Sequence, residues 1–236
     1  MRGGLPPPVE RLEALRRLLA WGRHRAGRVA VLFAGVLLPL WLFGGLGSEI
    51  REKEGFSWDA PILQAVHGHA SPRWDVAALA ASQLGMSGVL VMDVATVVVL
   101  LVRRRVRSAL YFGAAVGGAT ALCVLAKHFY GRVRPALWTS LAPEKTFSFP
   151  SGHAMGSMAL GMALVIIARS RRARLPTLFA VLLFVGAVGL SRVYLGVHFP
   201  SDVLAGWAAS VMWTLGLSLV FFPHGVPEPG GAPDAS

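Results

Sequence analysis

The chain has 236 residues, of which 54% are hydrophobic and only 15% are charged. Soluble domains carry roughly 25% charged residues, so this composition, with a mean hydropathy of +0.57, excludes an ordinary soluble domain and predicts an integral membrane protein. The net charge of +11 does not indicate a nucleic-acid partner, because 15 of the 23 Lys and Arg residues lie beside predicted span ends, in 1–28, 103–107 and 169–174. Basic residues at such places set membrane topology.

Residues 1–28 precede the first apolar run. Leucines and a tryptophan alternate there with arginines, as in Leu12, Leu15, Leu19 and Trp21 against Arg11, Arg16, Arg17 and Arg23. The pattern predicts a basic amphipathic helix on the cytoplasmic leaflet, with a frayed tail that only sets topology as the alternative. The apolar run that follows is too long for a cleavable signal peptide.

Six apolar runs follow, each close to the length of about 20 residues that a membrane-spanning helix needs. They lie near 29–47, 84–102, 108–126, 152–168, 175–191 and 203–222. No alternating β pattern is sustained, so we predict an all-α protein with one six-helix membrane bundle over residues 29–222. The tail at 223–236 is rich in Pro, Gly and Ala and is expected to be disordered.

The connectors fix the orientation of this bundle. Segment 48–83 mixes charged and apolar residues, and Asp59 followed by Pro61 is expected to cap a short helix there, resting on the outer surface. With six spans, the N-terminus and the Arg-rich connectors at 103–107 and 169–174 all fall on one side. The positive-inside rule makes that side cytoplasmic, which places the polar stretches described next on the outer face.

The first informative stretch is Pro150-Ser151-Gly152-His153, directly before the fourth apolar run. Ser151 is a good N-cap residue, and Gly152 allows a ligand to approach the backbone closely. The free N–H groups of a helix N-terminus suit a phosphate. Taken alone, however, the tetrapeptide also fits a plain helix cap with a satisfied histidine.

The second stretch contains His198 and Asp202, four residues apart where the sixth run starts. This spacing places both side chains on one helix face, and Pro200 between them fits a first helical turn. A carboxylate bonded to one ring nitrogen would leave the other nitrogen free for nucleophilic attack. A His–Asp pair at this spacing is common, so it is not specific by itself.

Three cations lie on the same predicted face: Lys127, Arg134 and Arg192. Arginine binds phosphate oxygens in pairs, whereas lysine acts as a point charge. Phosphoryl transfer requires mainly positioning and charge neutralisation, which these cations could supply without a metal ion. Anchoring to lipid headgroups is the alternative, and it is weakened because this face is otherwise poor in basic residues.

Together the stretches read Lys127-x6-Arg134-Pro135, Pro150-Ser151-Gly152-His153 and Ser191-Arg192-x5-His198-x3-Asp202. This arrangement closely resembles the three-part signature of the type 2 phosphatidic acid phosphatase superfamily. The resemblance implies a membrane phosphatase that needs no metal or other cofactor and acts through a phosphohistidine. In that family the positions matching His198 and Asp202 are nucleophile and orienting acid, and the position matching His153 protonates the leaving oxygen. In the same family the phosphate is held by the positions that match Lys127, Arg134, Ser151, Gly152 and Arg192.

The resemblance leads us to expect a bacterial inner-membrane enzyme that acts on a lipid phosphate or pyrophosphate, and the Arg-rich connectors predict that the lipid headgroup lies at the outer face. Candidate substrates are undecaprenyl pyrophosphate, phosphatidic acid and phosphatidylglycerol phosphate. The same signature occurs in soluble vanadate-dependent haloperoxidases, against which the six spans argue. A non-enzymatic lipid-handling protein, such as a flippase or scaffold, is the other alternative. The sequence leaves the lipid and the oligomeric state open.

Several polar residues fall outside the signature. A headgroup contact is the favoured interpretation for His128 and Arg132, with substrate steering as the alternative. Cys123, within an apolar run, is expected to be a small buried hydrophobic residue. Asp93 lies near the middle of the second run, where burying a charged carboxylate in lipid costs free energy, and the sequence assigns it no role. Two histidines of the outer segment are expected at the surface, His67 and His69.

Overall fold

The computed structural model describes residues 26–27, 29–30, 32–52, 55–168 and 171–223. Within these ranges the chain forms seven helices and no strand, as the apolar pattern predicts: α1 Phe33–Arg51, α2 Asp59–His67, α3 Pro72–Val102, α4 Val106–Tyr130, α5 Gly152–Ile167, α6 Arg171–Tyr194 and α7 Pro200–Phe221. The expected amphipathic helix near the N-terminus and the expected disordered tail beyond residue 223 lie outside the described residues.

Five of the described helices, α1, α3, α4, α6 and α7, are long and apolar enough to cross a membrane. The remaining predicted span, α5, has only 16 residues, or about 24 Å of helix. It is the central helix, packed against α4, α6 and α7, and it buries side chains along its length from Ala154 to Ile167. Its surroundings are therefore largely protein, which is why it can be shorter than the others.

The second span is longer than the sequence predicts. Hydropathy favours a later start, but α3 begins at Pro72 and runs for 31 residues. The polar residues of this extension do not interrupt the helix, because they bind α6. The Tyr194 hydroxyl donates to Asp75 Oδ1 at 2.7 Å, and Arg192 donates to the Ser82 hydroxyl. Reading these residues as a connector was wrong because their polarity serves contacts between helices.

The short helix expected near Asp59 is α2, but its expected place on the surface is only partly right. Asp59 and Leu63 are buried, and α2 packs against α6 and α7. Asp59 does not act as the N-cap; among the described residues no side chain caps this helix. Its Oδ1 instead accepts a hydrogen bond from the Ser201 N–H at 3.0 Å, which ties α2 to the start of α7.

Helices α5 and α7 approach closely near the signature. A Cβ added at Gly206 would lie 2.8 Å from the Ser151 carbonyl oxygen, so only glycine permits this spacing. The Ser151 N–H donates to the Asp202 carbonyl oxygen at 3.0 Å across the same contact. Other glycines four residues apart, a spacing that can mark close helix packing in lipid, leave more room, with no neighbour nearer than 3.5 Å to an added Cβ: Gly113/Gly117 and Gly152/Gly156.

All three signature stretches lie at one end of the bundle, which we call the signature end. Helix α4 stops at Gly131, whose φ of +60° is left-handed, and loop 131–151 leads to the N-terminus of α5. The C-terminus of α6 and the N-terminus of α7 meet this loop. The 103–107 connector joins α3 and α4 at the opposite end of the bundle. The 25-residue α4 separates this connector from the signature end by about 37 Å.

This arrangement predicts opposite membrane sides for the two ends, with the Arg-rich end cytoplasmic. Single cysteines at Arg103 and Thr139, both exposed, can be introduced into a Cys123→Ser background. A membrane-impermeant maleimide applied to intact bacterial cells should label position 139 and leave position 103 unlabelled until the cells are opened. If position 103 is labelled in intact cells and position 139 is not, the predicted orientation is wrong and the signature end faces the cytoplasm.

Candidate active site

Two arginines converge on one carboxylate at the signature end. Arg192, in the last turn of α6, is 1% exposed, and its guanidinium donates to Glu144 of loop 131–151. Arg134, from the start of that loop, pairs with the other oxygen, Oε2, at 2.6 Å. Arg134 is fixed by its Nε donating to the Thr146 carbonyl oxygen at 2.6 Å. The result is a compact anion-binding centre.

The imidazoles of His153 and His198 flank the same carboxylate. His153 Nδ1 lies 3.8 Å from Glu144 Oε1, and His198 Nε2 lies 3.9 Å from Oε2. Residues from all three signature stretches therefore surround one anionic group, although they lie far apart in sequence.

The two ring nitrogens of the buried His198 face different partners. Nδ1 lies 3.4 Å from Asp202 Oδ2, which is longer than a good hydrogen bond. Nε2 lies 3.0 Å from Arg134 Nη1. A guanidinium can only donate, so we assign the hydrogen to Nδ1, facing Asp202, and the free lone pair to Nε2. Burial lowers the pKa of His198 well below its usual value, and Arg134 and Arg192 lower it further, so the ring is neutral at neutral pH.

The other predicted phosphate-binding residues border this centre. The Lys127 ammonium donates to the Phe147 carbonyl oxygen, at the edge of the same loop. Ser151 occupies the N-cap position of α5 as predicted, but its buried hydroxyl has no hydrogen-bond partner among the described residues. Gly152 starts α5, where the first N–H groups have no intrahelical acceptor. A buried hydroxyl and free N–H groups are thus available to an anion.

Arg132 has a place that the sequence did not reveal. Its Nη1 pairs with Asp202 Oδ1 at 2.5 Å and its Nη2 with Asp59 Oδ2 at 2.8 Å. Its guanidinium also stacks over Phe199, 4.1 Å from the ring centre. The headgroup contact favoured from sequence is therefore wrong. Two buried carboxylates require a counter-charge, and Arg132 turns inward to supply it.

Glu144 is the second residue that sequence reasoning missed, because no motif spacing relates it to the signature. Burial alone would raise the pKa of this carboxyl, but Arg192 and the other positive neighbours outweigh burial, and the pKa lies below its usual value. Glu144 is therefore an anion at neutral pH. The one signal in the sequence is its position, an acidic residue within the loop that joins two of the signature stretches.

The residues outside the signature have structural surroundings. Cys123 is buried, as predicted. His67 stacks on Trp138 with ring centres 3.9 Å apart, so it is not a plain surface histidine; His128 and His69 are exposed. Asp93 is half-buried on α3. Within the described part of the chain, no three His, Cys, Asp or Glu side chains group closely enough to hold a metal ion.

The family model described as "PAP2 superfamily" matches residues 108–225, half of the chain and all three signature stretches. The chain belongs to the PAP2 superfamily. The family resemblance predicted from the signature is thereby confirmed.

Curated PAP2 relatives carry phosphatase names. Over 108 residues the chain is 38% identical to phosphatidylglycerophosphatase B of Bacillus subtilis, covering 43% of this chain and 49% of that protein. It is 37% identical over 108 residues to decaprenylphosphoryl-5-phosphoribose phosphatase of Mycobacterium tuberculosis, covering 44% and 56%. The chain thus spans about half the length of the curated relatives it matches.

The fold also resembles that of a solved PAP2 protein. It superposes on the crystal structure of a transmembrane PAP2-type phosphatidylglycerolphosphate phosphatase from Bacillus subtilis with a TM-score of 0.69 and 26% identity. The superposition covers 76% of this chain and 94% of that one. The predicted all-α membrane fold is confirmed, and the protein is a multi-pass membrane protein.

The ion pairs of Arg132 with Asp59 and Asp202, which we call the Arg132 bridge, should contribute to the stability of the fold. Arg132→Met keeps much of the bulk but leaves Asp59 and Asp202 buried without their counter-charge, which costs about 3–5 kcal/mol in comparable cases. We expect the thermal midpoint of the purified protein in detergent to fall by at least about 6 °C. The exposed Arg73 provides the control, since Arg73→Met should melt like the wild type. Unchanged melting of Arg132→Met would show that the bridge is not structural.

Proposed function

We propose that this protein is a membrane phosphatase that hydrolyses a lipid phosphate or pyrophosphate through a phosphohistidine on His198, without a metal ion. The observation that carries the proposal is the convergence of two arginines and two histidines on one anionic group, the Glu144 carboxylate. A phosphoryl group offers the same donors more oxygens and more charge, so it can take the same place.

His198 is the nucleophile in this mechanism. Its Nε2 lone pair faces Arg134, while its Nδ1 hydrogen faces Asp202. Attack by Nε2 forms the P–N bond as the P–O bond to the lipid breaks, and the ring becomes a cation. The Asp202 carboxylate then stabilises that charge without taking the proton.

His153 is placed to serve the leaving group. His153 lies near Oε1 of the Glu144 carboxylate, whereas His198 lies near Oε2. In-line displacement requires the nucleophile and the leaving oxygen on different sides of phosphorus. His153 donates a proton to the lipid oxygen, then accepts one from the water that hydrolyses the P–N bond, releasing phosphate.

The remaining signature residues hold the phosphoryl oxygens. Arg134 and Arg192 are the closest cations, and Lys127 adds a third charge from α4. The Ser151 hydroxyl, which has no partner among the described residues, and the N–H groups in the first turn of α5, which have no intrahelical acceptor, provide neutral donors. Such fixed donors stabilise the charge of a transferring phosphoryl group because they need no rearrangement during the reaction.

A lipid substrate is supported by the place of the site, at the end of membrane-spanning helices. One relative is named for phosphatidylglycerophosphate and another for a decaprenyl-linked phosphate. The candidates are undecaprenyl pyrophosphate, phosphatidic acid and phosphatidylglycerol phosphate. We place the protein in a bacterial inner membrane with the site on the extracytoplasmic side, because the Arg-rich 103–107 connector lies at the other end of the bundle.

Phosphate release by purified protein from these three lipids tests the proposal. We expect release from at least one lipid, retained in EDTA and inhibited by vanadate, which mimics phosphate. His198→Gln should lose about 10³-fold or more, as expected for a nucleophile, whereas the exposed His69→Gln should not. Folded protein that releases no phosphate would favour a non-enzymatic role. Activity lost in EDTA and restored by Mg²⁺ would contradict the metal-free mechanism.

A further inference from the structure

Glu144 belongs to no signature stretch, and no step of the proposed mechanism uses it. Its carboxylate nevertheless lies between His153 and His198 and pairs with both Arg134 and Arg192. A phosphate bound by the same four side chains would need the same space and the same positive charge. The two anions therefore exclude each other.

We infer that Glu144 is a built-in competitor of the phosphate group, whose carboxylate closes the phosphate subsite and must move away before a substrate reaches His198. The inference rests on the proposed function only in taking this centre as the phosphate subsite. It assigns to Glu144 control over how tightly the site binds every phosphate ligand, including the released product.

The surroundings of Glu144 allow such a displacement. Its side chain is 27% exposed, against 11% for Arg134 and His153 and 1% or less for Arg192 and His198. It is therefore the member of the cluster with the freest path to solvent. It also lies on irregular loop 131–151, where side chains have more freedom than in a packed helix.

The loop itself can remain in place when the Glu144 side chain turns. The Arg134 guanidinium holds it through the Thr146 and Phe147 carbonyl oxygens, at 2.6 and 3.1 Å. The Ser140 hydroxyl donates to the Leu195 carbonyl oxygen at 2.6 Å. None of these contacts involves the Glu144 carboxylate. A side-chain rotation is thus sufficient, and the cations stay ready for a phosphate.

A competitor within the protein weakens all ligands of its site by one common factor. If the site is open about one-tenth of the time, each apparent dissociation constant rises about tenfold. A lipid phosphate is concentrated at the membrane surface and tolerates this loss. Free inorganic phosphate does not, so Glu144 would limit inhibition of the enzyme by its product and by phosphate in solution.

Glu144→Gln tests the inference, because it keeps the shape of the side chain and removes its charge. Three constants are measured on full-length protein in mixed micelles: KM for phosphatidic acid, KM for p-nitrophenyl phosphate and Ki for inorganic phosphate. We expect all three to fall by the same factor, about tenfold. Glu52→Gln is the matched control, an exposed carboxylate just after α1 at the signature end, and should leave them unchanged.

Three outcomes would overturn the inference. The first is that the two KM values and the Ki do not change in Glu144→Gln. The second is that they fall by different factors for the lipid and for the small ligands, and the third is that only kcat falls. Either of the last two would mean that Glu144 contacts substrate. Thermal protection by inorganic phosphate gives a separate binding readout. If the wild type is inactive but Glu144→Gln binds phosphate about tenfold tighter, the proposed function fails and the inference stands. Should Glu144→Gln not fold, Glu144→Asp, with its shorter reach, should show a smaller common decrease.

Discussion

The ion pair that joins Arg132 to Asp59 and Asp202 is the interaction on which the site depends. Arg132 gives two almost fully buried carboxylates a shared counter-charge, and it connects α2, loop 131–151 and the start of α7. Because Asp202 also faces Nδ1 of His198, the position of this imidazole follows from the bridge. An apolar bundle could not bury these charges singly, so their mutual pairing fixes how the helices meet at the signature end.

The Arg132 bridge has more negative than positive charge, whereas the neighbouring centre formed by Arg134 and Arg192 has an excess of positive charge. Arg134 and Arg192 are held close together by Ser82, Thr146 and other neutral contacts, so an anion is needed between them. Glu144 supplies that anion from within the chain. The property that makes the centre suitable for phosphate is therefore the same property that draws in a competing carboxylate.

Sequence reasoning reached the fold and the signature because both depend on local patterns. Apolar runs identify spans, and fixed spacing identifies the motif. The missed features depend on contacts between distant residues: Asp59 is 73 positions from Arg132, and Ser82 is 110 positions from Arg192. The start of α3 was misplaced for the same reason, since its polar residues face α6 and carry no local sign of that contact.

In the proposed mechanism His198 attacks a phosphoryl group that has replaced the Glu144 carboxylate between the two histidines. The most direct measurement of this attack is a rapid-quench reaction with radiolabelled p-nitrophenyl phosphate, followed by peptide mapping. We expect an alkali-stable, acid-labile phosphoryl group on the peptide containing His198, still formed by His153→Gln because p-nitrophenolate leaves without a proton. A phosphoryl group on His153, or labelling that persists in His198→Gln, would contradict the account.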